Sequence, residues 1–286
     1  MAARLTTLDF TQVDVFTRRP LAGNPLAVFH SGAGLSSAQM QAIAREMNLS
    51  ETTFVFHDVG QANARVRIFT PWEELPFAGH PTLGTAYVVS KRRRWPGLVW
   101  LRMKAGVIPV RVDRFATVVA YLEMRQKDPV FRAPLKNPRP LAKALGIGAT
   151  ELDARYPPRV VSTGLPFLIV PLRRAATLAR LRPDYRLLRP LLAKLGAHFP
   201  YYLVTGETRI EARMFDSNFE DPATGSAAGC AAAYLVASRR CPPDARFVIH
   251  QGRFGRRPSV IFASAALRGE RVEDVHIGGY VVEILK

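Results

Sequence analysis

The sequence predicts a protein of two similar α/β halves, each of roughly 140 residues. Three observations carry that reading. Short runs that alternate apolar and polar residues recur along the chain, as half-buried strands do. Two of these runs, Arg67-Ile68-Phe69 and Arg213-Met214-Phe215, are followed at equal distances by Pro76 and Pro222, then by Gly79-His80 and Gly225-Ser226, each pair 146 positions apart. Behind each glycine lies a run of small and apolar residues, at 82–89 and 227–236, that reads as a closely packed helix. A further echo, Gly23-Asn24-Pro25-Leu26-Ala27-Val28-Phe29 against Gly164-Leu165-Pro166-Phe167-Leu168-Ile169-Val170, lies 141 positions apart.

Each element follows in turn. Residues 8–16 alternate as a strand, and 26–29 form a second strand after the turn-like Gly23-Asn24-Pro25. Ser36 with Gln39 is a capping box. Met40, Ile43, Ala44 and Met47 then fall on one helical face, and Asn48 is a stop. Residues 52–56 and 65–69 return to strand. Residues 128–140, rich in proline and basic side chains, mark the boundary between the halves. This predicts a first domain over 1–127, completed by a C-terminal strand at 277–286, and a second over 128–276. Within the second, 141–145 is a short helix framed by Pro140 and Gly146. The stretch 181–196 is helical, with Pro190 expected to interrupt or kink it. The C-terminal runs 246–249, 259–262 and 280–284 are strands.

Composition narrows the classes. The chain has 286 residues, 48% hydrophobic and 22% charged, the make-up of a soluble globular protein rather than a disordered one. No run approaches the roughly 18–20 apolar residues that span a bilayer, and the first residues carry no apolar signal core. No membrane partner is expected. The net charge of +17 comes from 33 Arg and 7 Lys against 23 acidic residues. The densest basic run, Lys91-Arg92-Arg93-Arg94, has no interleaved aromatics of the kind that stack bases. A solvated basic surface is therefore the expectation, with nucleic-acid binding the weaker alternative. The two cysteines, Cys230 and Cys241, have no metal-ligand spacing and make no disulfide framework, which fits a reducing cytoplasm. Cys230, in an alanine-rich run, reads as a small buried hydrophobe.

The two Gly-containing helix starts bear on function. Unpaired backbone N–H groups and the helix dipole make such a start receptive to an anion. If the halves face each other, both starts aim at one cleft. His80 follows the first glycine, and Asp221 and Ser226 flank the second. Glu51 stands where the first helix gives way to a strand. Two carboxylates and an imidazole suit general acid–base work on a carbon-bound proton. Asp221 and Ser226 could equally serve as caps. No Gly-x-Gly-x-x-Gly, Walker loop, Gly-x-Ser-x-Gly or metal spacing is present, so nothing demands a nucleotide, flavin or metal.

These residues resemble the PhzF (phenazine-biosynthesis-like) family. The resemblance rests on Val13-Asp14-Val15-Phe16 and the Gly23–Phe29 motif quoted above. It continues through Asn48-Leu49-Ser50-Glu51-Thr52-Thr53-Phe54-Val55 and Arg67-Ile68-Phe69-Thr70-Pro71. It ends on Glu74-Leu75-Pro76-Phe77-Ala78-Gly79-His80-Pro81 and Glu220-Asp221-Pro222-Ala223-Thr224-Gly225-Ser226. It covers nearly the whole chain in order. It implies the diaminopimelate-epimerase-like fold of α+β class: two similar domains, each a curved mixed sheet around a central helix, with the active site in the cleft between them.

The resemblance also implies a cofactor-independent isomerase and a homodimer. The family's phenazine enzyme moves a proton between ring carbons of trans-2,3-dihydro-3-hydroxyanthranilate. By the resemblance Glu51 is the acid/base, while His80 and Asp221 assist and orient the substrate. Ser50, Gly79, Gly225 and Ser226 bind a small carboxylate-bearing substrate. Racemases of this fold place a Cys at each helix start; none stands at either start here. A racemase or epimerase reading would need Glu51 with His80 or Asp221 instead. Two departures bear on the substrate. The connection at 216–219 looks shorter than the family's usual loop, and Arg256 stands where the family often has Gly.

Overall fold

A computed structural model describes residues 7–57, 60, 62–113, 115, 118–206, 209–216 and 219–285. The chain divides into two units, Met1–Met124 with Gly279–Lys286, and Arg125–Gly278. Gln126 and Lys127 thus belong to the second unit. The Gln126 N–H donates to the Val275 carbonyl at 2.8 Å, which ties the start of that unit to its end.

The first unit opens with the antiparallel pair β1 (Phe10–Val15) and β2 (Asn24–Phe29). Helix α1 (Ser37–Met47) follows, with both bonds of the Ser36/Gln39 capping box in place. Asn48 ends it in the left-handed region, φ 50°, which Asn tolerates better than most side chains. Strand β3 (Glu51–Phe56) lies parallel to β2 and antiparallel to β4 (Ala64–Phe69). A two-residue strand, β5 (Glu74–Leu75), folds back on β4. It leads through Pro76-Phe77-Ala78 into α2 (Gly79–Arg93). Strands β6 (Gly97–Met103), β7 (Gly106–Val112) and β8 (Val119–Arg125) complete the meander. Every residue of α2 from Gly79 to Ser90 is buried. A Cβ on Gly84 would meet Leu26 at 2.6 Å and Val15 at 3.0 Å, so only Gly lets the helix sit this close to β1 and β2. The other side of the sheet is covered by α1, through Met40 and Ala44 against Phe29, Phe54 and Phe69.

The second unit repeats this order. After β9 (Val130–Pro134) and α3 (Arg139–Ala144) come the antiparallel β10 (Arg159–Ser162) and β11 (Pro166–Pro171). Helices α4 (Ala175–Arg180) and α5 (Tyr185–Leu195) then lead to β12 (Phe199–Thr205), parallel to β11. Strand β13 (Arg209–Asp216) pairs with the three-residue β14 (Phe219–Asp221), which leads into α6 (Gly225–Ala237). Strands β15 (Arg246–Gln251) and β16 (Ser259–Arg268) follow. In both units a parallel pair closes over the buried helix: β4 with β6, and β13 with β15. The last strand, β17 (Arg271–Leu285), pairs first with β16 and then with β1.

Three expectations change. The region 128–140, read as a boundary, holds a strand, β9, paired with β10. The helix expected over 181–196 begins at Tyr185, because Asp184 accepts from the Arg186 N–H and caps it there. Pro190 lies inside that helix without ending it. Its ring removes one intrahelical bond, and burial of Leu188 and Leu192 in the core with Leu168, Val170 and Tyr202 offsets the loss. Among the described residues no helix is long and apolar enough to cross a membrane. Ser217 and Asn218 of the short connection lie outside the described residues.

Candidate active site

In the first unit the fold gathers Glu51, Gly79 and His80. Glu51 opens β3 opposite Leu26 of β2. His80 is the second residue of α2 and is 4% exposed. Its Nε2 lies 3.4 Å from Glu51 Oε2. Burial pushes the imidazole pKa from 6.5 down to about 3, against the opposing effect of a backbone hydrogen bond at Pro25. His80 is therefore neutral near pH 7, and its contact with Glu51 is not an ion pair. Proline has no N–H, so its carbonyl accepts from the ring. Among the described residues Nε2 has no hydrogen-bond partner, so the nitrogen that donates to Pro25 is Nδ1. Nε2 is then the acceptor nitrogen of the ring, 3.4 Å from the Glu51 carboxyl. Pro25, expected in a turn, is the second residue of β2, paired with Asp14 of β1. Ser50 lies just before β3, half-buried. Gly79 is the first residue of α2, where the N–H has no intrahelical partner.

In the second unit Asp221 ends β14, and Gly225 and Ser226 open α6. Asp221 is 8% exposed, and its Oδ2 accepts from the Thr224 hydroxyl at 2.6 Å. Gln251, at the end of β15, holds this turn with its whole amide. Its Nε2 donates to the Asp221 carbonyl at 2.8 Å and to Thr224 Oγ1 at 2.9 Å. Its Oε1 accepts from the Tyr201 hydroxyl at 3.0 Å and from the Thr224 N–H at 3.2 Å. Burial, and then the charge of Asp221, raise the Tyr201 pKa, so the phenol stays protonated as the donor. Gly225, the first residue of α6, gives its carbonyl to Gln126 Nε2 at 3.2 Å, and Gln126 Oε1 accepts from Thr163 at 2.7 Å.

Gln126, Thr163, Tyr201 and Gln251 were not singled out from the sequence. None stands in a spacing pattern, and only the fold brings them to the turn. Cys230, the sixth residue of α6, is fully buried and its pKa is pushed up to about 11 by burial. It is a packed thiol that supplies no thiolate near neutral pH.

A helix buried by strands in each of two like units defines the diaminopimelate-epimerase-like α+β fold. The solved structure of a hydroxyproline epimerase from Agrobacterium vitis shares it, with TM-score 0.64 over 98% of this chain and 89% of that one, at 10% identity. The solved structure of a predicted epimerase from Pseudomonas aeruginosa superposes with TM-score 0.86, at 38% identity, over 97% of both chains. The model of the phenazine biosynthesis-like protein family matches residues 13–286, and the chain belongs to that family. A trans-2,3-dihydro-3-hydroxyanthranilate isomerase from Pseudomonas aeruginosa is 37% identical over 280 residues, covering 94% of this chain and 95% of the relative.

Proposed function

We propose that this chain is a cofactor-independent isomerase. It shifts a proton by general acid–base catalysis on a small carboxylate-bearing substrate similar to trans-2,3-dihydro-3-hydroxyanthranilate. The observation that carries the reading is the pairing of a buried, neutral His80 with Glu51 at the N-terminus of α2. Glu51 takes the proton from one carbon and returns it at another. His80 Nε2 accepts a hydrogen bond from the carboxyl while it carries the proton, and so holds it in position. Asp221, fixed by Thr224 and Gln251, orients the polar groups of the substrate. The backbone N–H groups of Gly79, Gly225 and Ser226, with Ser50 beside Glu51, bind the substrate carboxylate. The name of the isomerase relative supports the reaction class. The protein acts in the cytoplasm as a homodimer, which sedimentation would test.

The first test compares wild type with Glu51→Gln on trans-2,3-dihydro-3-hydroxyanthranilate, with circular dichroism and substrate binding measured alongside. The variant folds and binds but does not turn over. Full activity in Glu51→Gln would remove Glu51 from the chemistry. Inactive, folded wild type would move the search to other small carboxylic acids. A racemase reading, run by Glu51 with His80 or Asp221, predicts deuterium exchange at the α-carbon of a chiral amino acid instead.

A further inference from the structure

The two units carry the same ionic clamp at the same place. In the first, Arg67 Nε and Nη2 each donate at 2.8 Å to Glu74 Oε1 and Oε2. In the second, Arg213 Nε and Nη2 donate at 2.8 Å to Glu220 Oε1 and Oε2. Each guanidinium also lies over the phenyl ring two residues on, Phe69 at 5.0 Å and Phe215 at 4.4 Å. The pairs are largely buried, with Arg213 4% and Arg67 19% exposed.

Each clamp closes a hairpin that its ladder alone is too short to fix. Strand β5 has two residues and β14 has three, well under the usual strand length of about five or six. In β5 the register pairs are Ile68 with Leu75 and Phe69 with Glu74; in β14, Met214 with Asp221 and Phe215 with Glu220. Each Arg reaches diagonally across to the Glu opposite its own phenylalanine, a same-face contact that only the correct register allows. A bidentate fork is more particular about geometry than an apolar contact. The clamps are also anchored outward. Arg67 donates to Ser37 Oγ of α1, and Lys104 joins Glu74 at 2.8 Å. Arg213 donates to the carbonyls of Leu178 and Ala179 at the end of α4, and Phe254 covers it at 4.4 Å.

Only a three-residue connection separates each clamped hairpin from the helix start that carries the site. Glu74 lies six positions before His80, and Glu220 is next to Asp221. We propose that Arg67 and Arg213 are positioning residues: each locks a minimal hairpin, Arg67 to aim the Gly79-His80 helix start and Arg213 to aim Asp221 and the Gly225-Ser226 start. Their effect on turnover rests on the proposed isomerase reading; their effect on geometry does not.

The test uses Arg67→Lys, which keeps the charge but not the fork, together with Glu74→Gln, Arg213→Lys and Glu220→Gln. Imidazole ¹⁵N shifts of His80 are read in each folded variant. The two substitutions at the first clamp turn the single Nδ1–H signature of His80 into a tautomer mixture, while the two at the second leave it unchanged. With substrate, the first pair lowers kcat about tenfold to a hundredfold, the range for a displacement near 1 Å, and the second pair raises KM. An unchanged His80 signature in both first-clamp variants overturns the proposal whether or not the enzyme turns over. So does an equal change from both clamps, which would mark them as stabilising pairs only. Absence of turnover in wild type, with the ¹⁵N pattern as expected, would exclude this substrate for the isomerase reading and leave the clamps standing.

Discussion

Gly229 is the residue of α6 whose replacement by alanine has the most informative cost. An added Cβ would stand 1.9 Å from Gln126 Oε1, 2.7 Å from its Cδ and 3.1 Å from Val275 Cγ1. Gln126 must then swing away, giving up Thr163 at 2.7 Å and the Gly225 carbonyl at 3.2 Å. Buried polar groups left without partners cost about 1–3 kcal/mol, and forcing atoms into a packed core costs about 1–3 kcal/mol more. The helix gains about 1 kcal/mol when Gly becomes Ala. The balance is a loss of about 1–5 kcal/mol, read from urea unfolding of the whole chain. A double-mutant cycle isolates the cause. With Gln126→Ala in place the obstruction is gone, so Gly229→Ala becomes neutral or stabilising by up to about 1 kcal/mol. The same penalty for Gly229→Ala in both backgrounds would refute the packing argument and place the cost elsewhere in α6.

Other expectations are separate. His80 refuses in the folded state the proton that an unfolded chain takes up below about pH 6.5. Stability present above that pH is therefore lost on acidification toward about 3, by at most about 1.4 kcal/mol per pH unit from this group; His80→Asn flattens the slope measured by urea titration. Iodoacetamide applied to folded protein at pH 8 modifies the partly exposed Cys241 and spares Cys230, as peptide mass mapping would show. Arg256 holds φ 58°, so Arg256→Gly leaves Tm unchanged or raises it, within about 1 kcal/mol. Ser36→Ala removes the α1 cap and costs about 1 kcal/mol.

Much of this fold is written locally. Ser36, Gln39 and Asn48 delimit α1 because a cap and a left-handed stop act over a few residues. The repeat was readable because Arg, Pro and Gly recur where the hairpin and helix start require them. Helix α2 runs to Arg93, beyond the expected Val89, because Lys91-Arg92-Arg93 sit favourably at the negative end of its dipole. Pro81 is tolerated as the third residue of that helix, since its absent N–H would be unpaired there anyway. Strands β5 and β14 were not legible, being too short for any period to show.

The site divides in the same way. Glu51, His80 and Asp221 stand in motifs, and the fold brings Glu51 and His80 together. The partner that fixes the His80 tautomer is a backbone carbonyl at Pro25, more than fifty residues away in sequence. No side-chain pattern announces it. Gln251 and Gln126 are likewise single polar residues whose roles exist only after β15 and the start of the second unit are in place. The pairing of Arg67 with Glu74, and of Arg213 with Glu220, was present in the repeat as identical spacing. Its meaning came with the hairpin register.

In the proposed reaction Glu51, with a neutral His80 behind it, moves a proton between carbons. Proton NMR of trans-2,3-dihydro-3-hydroxyanthranilate in deuterated buffer tests it most directly, with wild type beside Glu51→Gln. Wild type forms product with deuterium at the ring carbon that receives the proton, and the variant forms none. Product formed equally by Glu51→Gln, with deuterium at the same carbon, would contradict it.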